Sequence, residues 1–145
     1  MEDKNRKING QLIIALSRSL QIIHRESEVL FSKQQITMAQ FTVLEALYHK
    51  GDLTIGQLIE KVLSTSGNMT VVIRNLEKQQ LIKRIENPND KRSYIIQLTT
   101  KGKSTIQNLY QQHMEFVDLA VEKISQEDKE KVIDILKQLQ IKEVK

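Results

Sequence analysis

Three histidines, His24, His49 and His113, are the first residues to weigh, because imidazole binds metals and moves protons near neutral pH. They fall in separate helical stretches, and none has a histidine partner at i+4, so metal-ligand spacing is absent. Cysteine is absent too, which removes disulfides, thiolate metal sites, cysteine nucleophiles and thiol redox switches. No Gly-rich phosphate loop or nucleophile motif occurs. The carboxylates alternate with lysine, as in Glu127-Asp128-Lys129-Glu130-Lys131, the pattern of a solvated helix face. Neither an enzyme nor a bound cofactor is expected, and a metal site assembled by the fold from the histidines stays as an alternative.

The remaining chemistry is cationic. The 145 residues hold 22 Lys and Arg against 18 Asp and Glu, a net charge of +4. Residues 1–63 carry +1, residues 64–103 carry +5 from eight basic and three acidic residues, and residues 104–145 carry −2. The excess lies wholly in the middle 40 residues, where it reads either as a nucleic-acid-facing segment or as a solvated basic face.

Apolar periodicity defines the elements that position those cations. Leu12, Leu16, Leu20 and Ile23 recur at three- and four-residue steps in an amphipathic helix from Ile8 to about Ser32. Thr37 and Gln40 form a capping box, with Ile36 and Phe41 as its hydrophobic staple, opening a helix to Lys50; Gly51 follows, free to take the left-handed C′ conformation. Thr54 and Gln57 repeat the box with Leu53 and Leu58 as staple, for a short helix to about Val62. Thr65-Ser66-Gly67-Asn68 starts another, with Val72, Ile73 and Leu76 facing inward, to about Gln79. Two short helices joined tightly make a helix-turn-helix.

Two strand-like runs follow, Leu81–Glu86 and Ser93–Leu98, separated by the turn residues Asn87-Pro88-Asn89-Asp90. The whole is a winged helix. Lys91 and Arg92 at the hairpin tip are long cations suited to a narrow A·T-rich minor groove, or else serve only to solubilise the hairpin. Ile106, Leu109, Tyr110 and Val117 mark a long helix to Ile124, and Ser125 caps a final one with Val132, Ile135, Leu136 and Leu139 on one face. A winged helix has no need of such flanking helices for its own core, so mutual burial in a two-fold dimer is expected of them.

Leu63-Ser64-Thr65-Ser66-Gly67-Asn68-Met69-Thr70, Leu76-Glu77-Lys78-Gln79-Gln80-Leu81-Ile82-Lys83-Arg84, Asn87-Pro88-Asn89-Asp90-Lys91-Arg92 and Leu98-Thr99-Thr100-Lys101-Gly102 together resemble the MarR (multiple antibiotic resistance regulator) family. The likeness spans about residues 36 to 102, and the flanking helices match in length and order. One departure is Gln80, where the family usually has Gly; a left-handed Gln there costs about 1 kcal/mol. The resemblance implies a single domain over 1–145, mainly α with a small β-hairpin: a winged helix-turn-helix lobe at about 36–103, flanked by dimerisation helices at about 8–35 and 104–145.

It also implies roles. Ser66, Asn68 and Thr70 would meet bases or phosphates, Asn68 being suited to a bidentate contact with adenine. Gly67 would let the backbone approach a phosphate. Val71 would touch a thymine methyl, Arg74 a guanine or phosphate, and Thr54 would hold the backbone near the first short helix. Thr65 would chiefly cap. In the wing, Arg92 would enter the minor groove while Asp90 orients it or a neighbouring Arg, with Lys91 beside them. A dimer would set two recognition helices one turn of DNA apart, ~34 Å, to read a pseudo-palindromic operator. Family members place a small aromatic or phenolic effector between the dimer helices and the DNA-binding lobe, which makes His24, Phe41, His113 and Phe116 candidates here; ordinary core or surface roles stand beside that reading. The expected function is a cytoplasmic, ligand-responsive repressor, without membrane contact. The alternatives are a metal-responsive regulator and a winged-helix protein interaction module.

Overall fold

Capping side chains decide where most of the helices begin. The structure, a computed structural model, describes residues 3–62 and 66–139. Among them the order is α1 (Lys4–Ser32), α2 (Met38–Lys50), β1 (Leu53–Thr54), α3 (Ile55–Val62), α4 (Ser66–Lys78), β2 (Ile82–Glu86), β3 (Tyr94–Leu98), α5 (Thr100–Ala120) and α6 (Gln126–Leu136). Both capping boxes form. The Gln40 N–H donates to Thr37 Oγ1 at 3.1 Å and the Thr37 N–H to Gln40 Oε1 at 2.9 Å; Gln57 and Thr54 repeat the exchange at the same distances. The staple residues Ile36, Phe41, Leu53 and Leu58 are all buried. α1 starts before the expected Ile8, because the Asp3 carboxylate accepts the Asn5 N–H. α5 starts at Thr100 rather than near residue 104, since Thr99 Oγ1 accepts the Gly102 N–H at 2.9 Å.

Two helices end in the same motif. At the end of α1 the Ile36 N–H donates to Phe31 O and the Gln35 N–H to Ser32 O; at the end of α4 Leu81 and Gln80 do the same with Leu76 and Glu77. These are Schellman closures with glutamine at the left-handed position, Gln35 at φ 59° and Gln80 at φ 61°. The following residues, Ile36 and Leu81, are buried, so apolar packing holds each glutamine in a conformation that costs roughly 1 kcal/mol. Gly51 corrects a finer expectation: its φ of 80° is positive, but ψ is −156°, a glycine-only extended conformation rather than the left-handed helical one.

The hairpin expected from the sequence gains a third strand. The sheet order is β1-β3-β2, antiparallel throughout, with Leu53 opposite Ile96 and Arg84 opposite Ile96 on the other side. Leu53 and Thr54 thus pair with β3, and Thr54 caps α3 as well. The core joins α1, α2, α4, α5 and the sheet through buried residues such as Phe31, Leu44, Ile73, Leu76, Ile96 and Ile106. Each such side chain stabilises the fold by roughly 1.5–3 kcal/mol. Outside this core the chain is unusually bare. α6 buries nothing, α1 buries only Ser27 and Phe31, and Leu12, Ile13, Leu20, Ile133 and Ile135 are each about half exposed or more.

Candidate nucleic-acid interface

α4 is two-faced because its apolar residues recur at helical spacing. Met69, Val72, Ile73 and Leu76 are buried against the core, which turns Gly67, Asn68, Thr70, Val71 and Arg74 outward to solvent. Val71, an apolar residue on that outer face, is 49% exposed. Of Ser66 the backbone opening α4 is described, and Thr65 lies outside the described residues. Thr54 is half-buried with both its hydroxyl and its N–H engaged by Gln57, so its side chain works as a cap for α3.

The wing tip is held by its own side chains. Asn87 Oδ1 accepts the Asn89 N–H at 3.0 Å, and Asn87 Nδ2 donates to Ser93 Oγ across the turn. Asp90 Oδ1 accepts the Arg92 backbone N–H at 3.0 Å and faces its Nε at 3.4 Å. The Arg92 side chain is nevertheless 92% exposed. Its backbone is thereby fixed while the guanidinium stays available; Lys91 beside it is exposed as well. A fixed base with an exposed cation is suited to polyanion contact, since little is lost in ordering the loop on binding.

The four residues tied to an effector divide. Phe41, His113 and Phe116 come together where α1, α2 and α5 meet: His113 packs edge-on to Phe41 at 5.0 Å between ring centroids, with Phe31 at 5.4 Å and Phe116 at 6.4 Å. Phe41 itself stacks on Phe31 and is core. Ser27 Oγ shares a hydrogen bond with His113 Nδ1 at 3.5 Å. Burial among these rings lowers the His113 pKa, with Glu45 pulling the other way. His24 is exposed on α1, along an open groove of about 500 Å³ with Ser17, Leu20, Gln21, Arg25 and Glu28. A second ring cluster, Tyr48, His49 and Tyr110, joins α2 to α5, with His49 and Tyr110 at 4.7 Å. Sequence reasoning missed it; the i+1 spacing of Tyr48 and His49 gives no helical-face signal, and Tyr110 comes from 61 residues further on.

Among the described residues no three His, Cys, Asp or Glu side chains are grouped as metal ligands, and no helix is long and apolar enough to cross a membrane.

A profile of the MarR family matches residues 36–94. The chain is 33% identical over 129 residues to the HTH-type transcriptional regulator MhqR of Bacillus subtilis, covering 89% of each. Among solved structures, reduced AbfR bound to DNA superposes with a TM-score of 0.76 at 20% identity, covering 95% of both chains. NadR in complex with 4-hydroxyphenylacetate also gives 0.76, at 22% identity over 86% of this chain and 89% of that one. The two structures share the fold. Identity sustained along nearly the whole of this chain and of MhqR goes further, and the chain belongs to the MarR family.

Proposed function

We propose that this MarR-family protein is a sequence-specific double-stranded DNA-binding transcription regulator, a repressor that acts in the cytoplasm and binds an inverted-repeat operator as a homodimer. The observation that carries the reading is the pairing of an exposed polar face on α4 with a tip arginine that is 92% exposed on a loop fixed by Asp90. The face supplies Asn68 and Thr70 for base edges, Gly67 for close phosphate approach and Arg74 one turn on; the tip supplies Arg92 and Lys91 for the minor groove. A DNA-bound relative in fold, AbfR, supports the same reading. The dimer is supported by the exposed apolar residues of α1 and α6, which a second copy would bury.

A small aromatic or phenolic effector is proposed for the junction of α1, α2 and α5, at His113 and Phe116 above Phe41. NadR, alike in fold, binds 4-hydroxyphenylacetate. A ligand there would act by changing how the lobe sits on the dimer helices, so ligand and DNA would weaken each other to the same degree.

The test is a duplex titration against salt, with operators selected from a random pool. Binding should weaken steeply as salt rises, because phosphate contacts release counterions. Arg92→Ala should weaken all duplexes, whereas Asn68→Ala should relax preference at one base position by roughly 1–3 kcal/mol. A flat salt response would remove the reading in favour of a protein interaction module.

A further inference from the structure

Glu77 and Arg84 belong to the run that carries the family likeness, yet the DNA-facing surface described above makes no use of them. Glu77 is in the last turn of α4 and Arg84 is at the middle of β2, on either side of the left-handed Gln80. The Arg84 Nε–H donates to Glu77 Oε1 at 2.6 Å, a short charge-assisted bond between side chains 31% and 33% exposed. The same guanidinium lies over the Tyr94 ring, 5.6 Å from its centroid, and Tyr94 opens β3. One cation therefore touches the recognition helix and both strands of the wing. The other ion pairs among the described residues are local, one inside the wing tip and two at α6.

Ile82 and Ile96 anchor the root of the hairpin in the core. Arg84, which pairs with Ile96 at the edge of that root, reaches back to α4 through Glu77. Glu77 is also one of only three acidic residues in the basic segment 64–103. A carboxylate close to a phosphate-binding surface repels the ligand, so its place there calls for a compensating role.

We infer that Glu77 and Arg84 are positioning residues that set the angle between recognition helix and wing, so that α4 and the Arg92 tip engage neighbouring grooves together. The inference rests on the DNA-binding reading given above. Holding the wing at one angle removes an ordering cost from binding and raises the effective concentration of the tip at its groove once α4 has docked. With the clamp broken, the distal wing swings and Arg92 contributes less.

The experiment compares Glu77→Ala and Glu77→Gln, each with and without Arg92→Ala, for operator affinity and for thermal melting. Glu77→Ala weakens operator binding about tenfold, the loss of a charge-assisted bond, although it removes a negative charge. Glu77→Gln, whose amide oxygen still accepts from Arg84, restores most of that loss. Arg92→Ala costs several-fold less in the Glu77→Ala background than in the parent. Tighter or unchanged binding by Glu77→Ala, or an equal Arg92→Ala cost in both backgrounds with melting preserved, overturns the inference.

A DNA-free readout separates this inference from the reading beneath it. The chain has no cysteine, so Lys78→Cys and Lys91→Cys accept spin labels cleanly; dilution with unlabelled chain leaves one labelled pair per assembly. Glu77→Ala should broaden the helix-to-tip distance distribution. An unchanged distribution overturns the clamp whatever the DNA result. A broadened one, with Arg92→Ala silent in the parent, upholds the clamp and sinks the wing–DNA contact instead.

Discussion

Gly102→Ala offers a single-methyl test of how α5 is seated on the DNA-binding lobe. Gly102 is buried in the first turn of α5, and a Cβ there would lie 2.8 Å from the Leu81 carbonyl carbon, 3.2 Å from its Cα and closer still to its oxygen. Ordinary contact begins near 3.4 Å, so the helix start and the turn after α4 must part by more than half an ångström. The atoms in the way are backbone, so no side chain can swing aside. The same Leu81 carbonyl accepts the Thr99 N–H at 3.0 Å, and Thr99 is the cap that starts α5. Parting them strains or breaks this bond, at about 1–3 kcal/mol for an under-satisfied buried group. The forced overpacking adds a similar ~1–3 kcal/mol. We therefore expect Gly102→Ala to destabilise the protein by roughly 3–5 kcal/mol, a fall in melting temperature of about 6–20 °C for a chain of this size. Urea unfolding and thermal melting at one fixed protein concentration would measure it, because an associating protein melts at a concentration-dependent temperature. A variant within about 1 kcal/mol of the parent would refute the argument, since the contact would then have relaxed without cost.

Gly67→Ala should behave in the opposite way: a Cβ there meets nothing within 4 Å, so the fold should gain up to about 1 kcal/mol of helix propensity in denaturant titration while operator affinity falls, if the backbone approaches a phosphate at this point. Gln80→Gly should stabilise by roughly 0.5–1 kcal/mol, because the left-handed φ of 61° is free of strain for glycine; an unchanged urea midpoint would show that the strain is absorbed elsewhere. The folded-state pKa of His113 is lowered, chiefly by burial, so its neutral form favours the native state. That contribution should be fully present above the ordinary value near 6.5 and be lost as pH falls below it, where the unfolded chain takes up the proton first. Stability measured between pH 7.5 and 5 should fall less in His113→Phe than in the parent, and equal pH profiles would contradict the assignment.

Much of this protein can be read from segments four or five residues long. The capping boxes at Thr37 and Thr54, the Ser125 cap, the inward apolar stripe of α4 and the turn residues of the wing each close their own hydrogen bonds locally, and all form as their patterns require. The outward face of α4 and the exposed Arg92 follow from the same local rules, because whatever the stripe does not bury is left to solvent. Other features depend on partners far along the chain. Leu53-Thr54 is too short to show a strand period, and it becomes a strand only because β3 arrives beside it. Gln35 is left-handed because Ile36 is drawn into the core, and Gly102 must be glycine because Leu81 lies against it. His113 and Ser27 are 86 residues apart, while His24, three residues before Ser27 and on the same side of α1, is exposed. Helix phase puts those two residues on one face, and only the packing of α5 and α2 onto α1 decides which of them enters the ring cluster. Local sequence thus determined the elements and the polar surface they present, whereas long-range burial chose the strained backbones, the close approaches and the Glu77–Arg84 clamp that joins helix to wing.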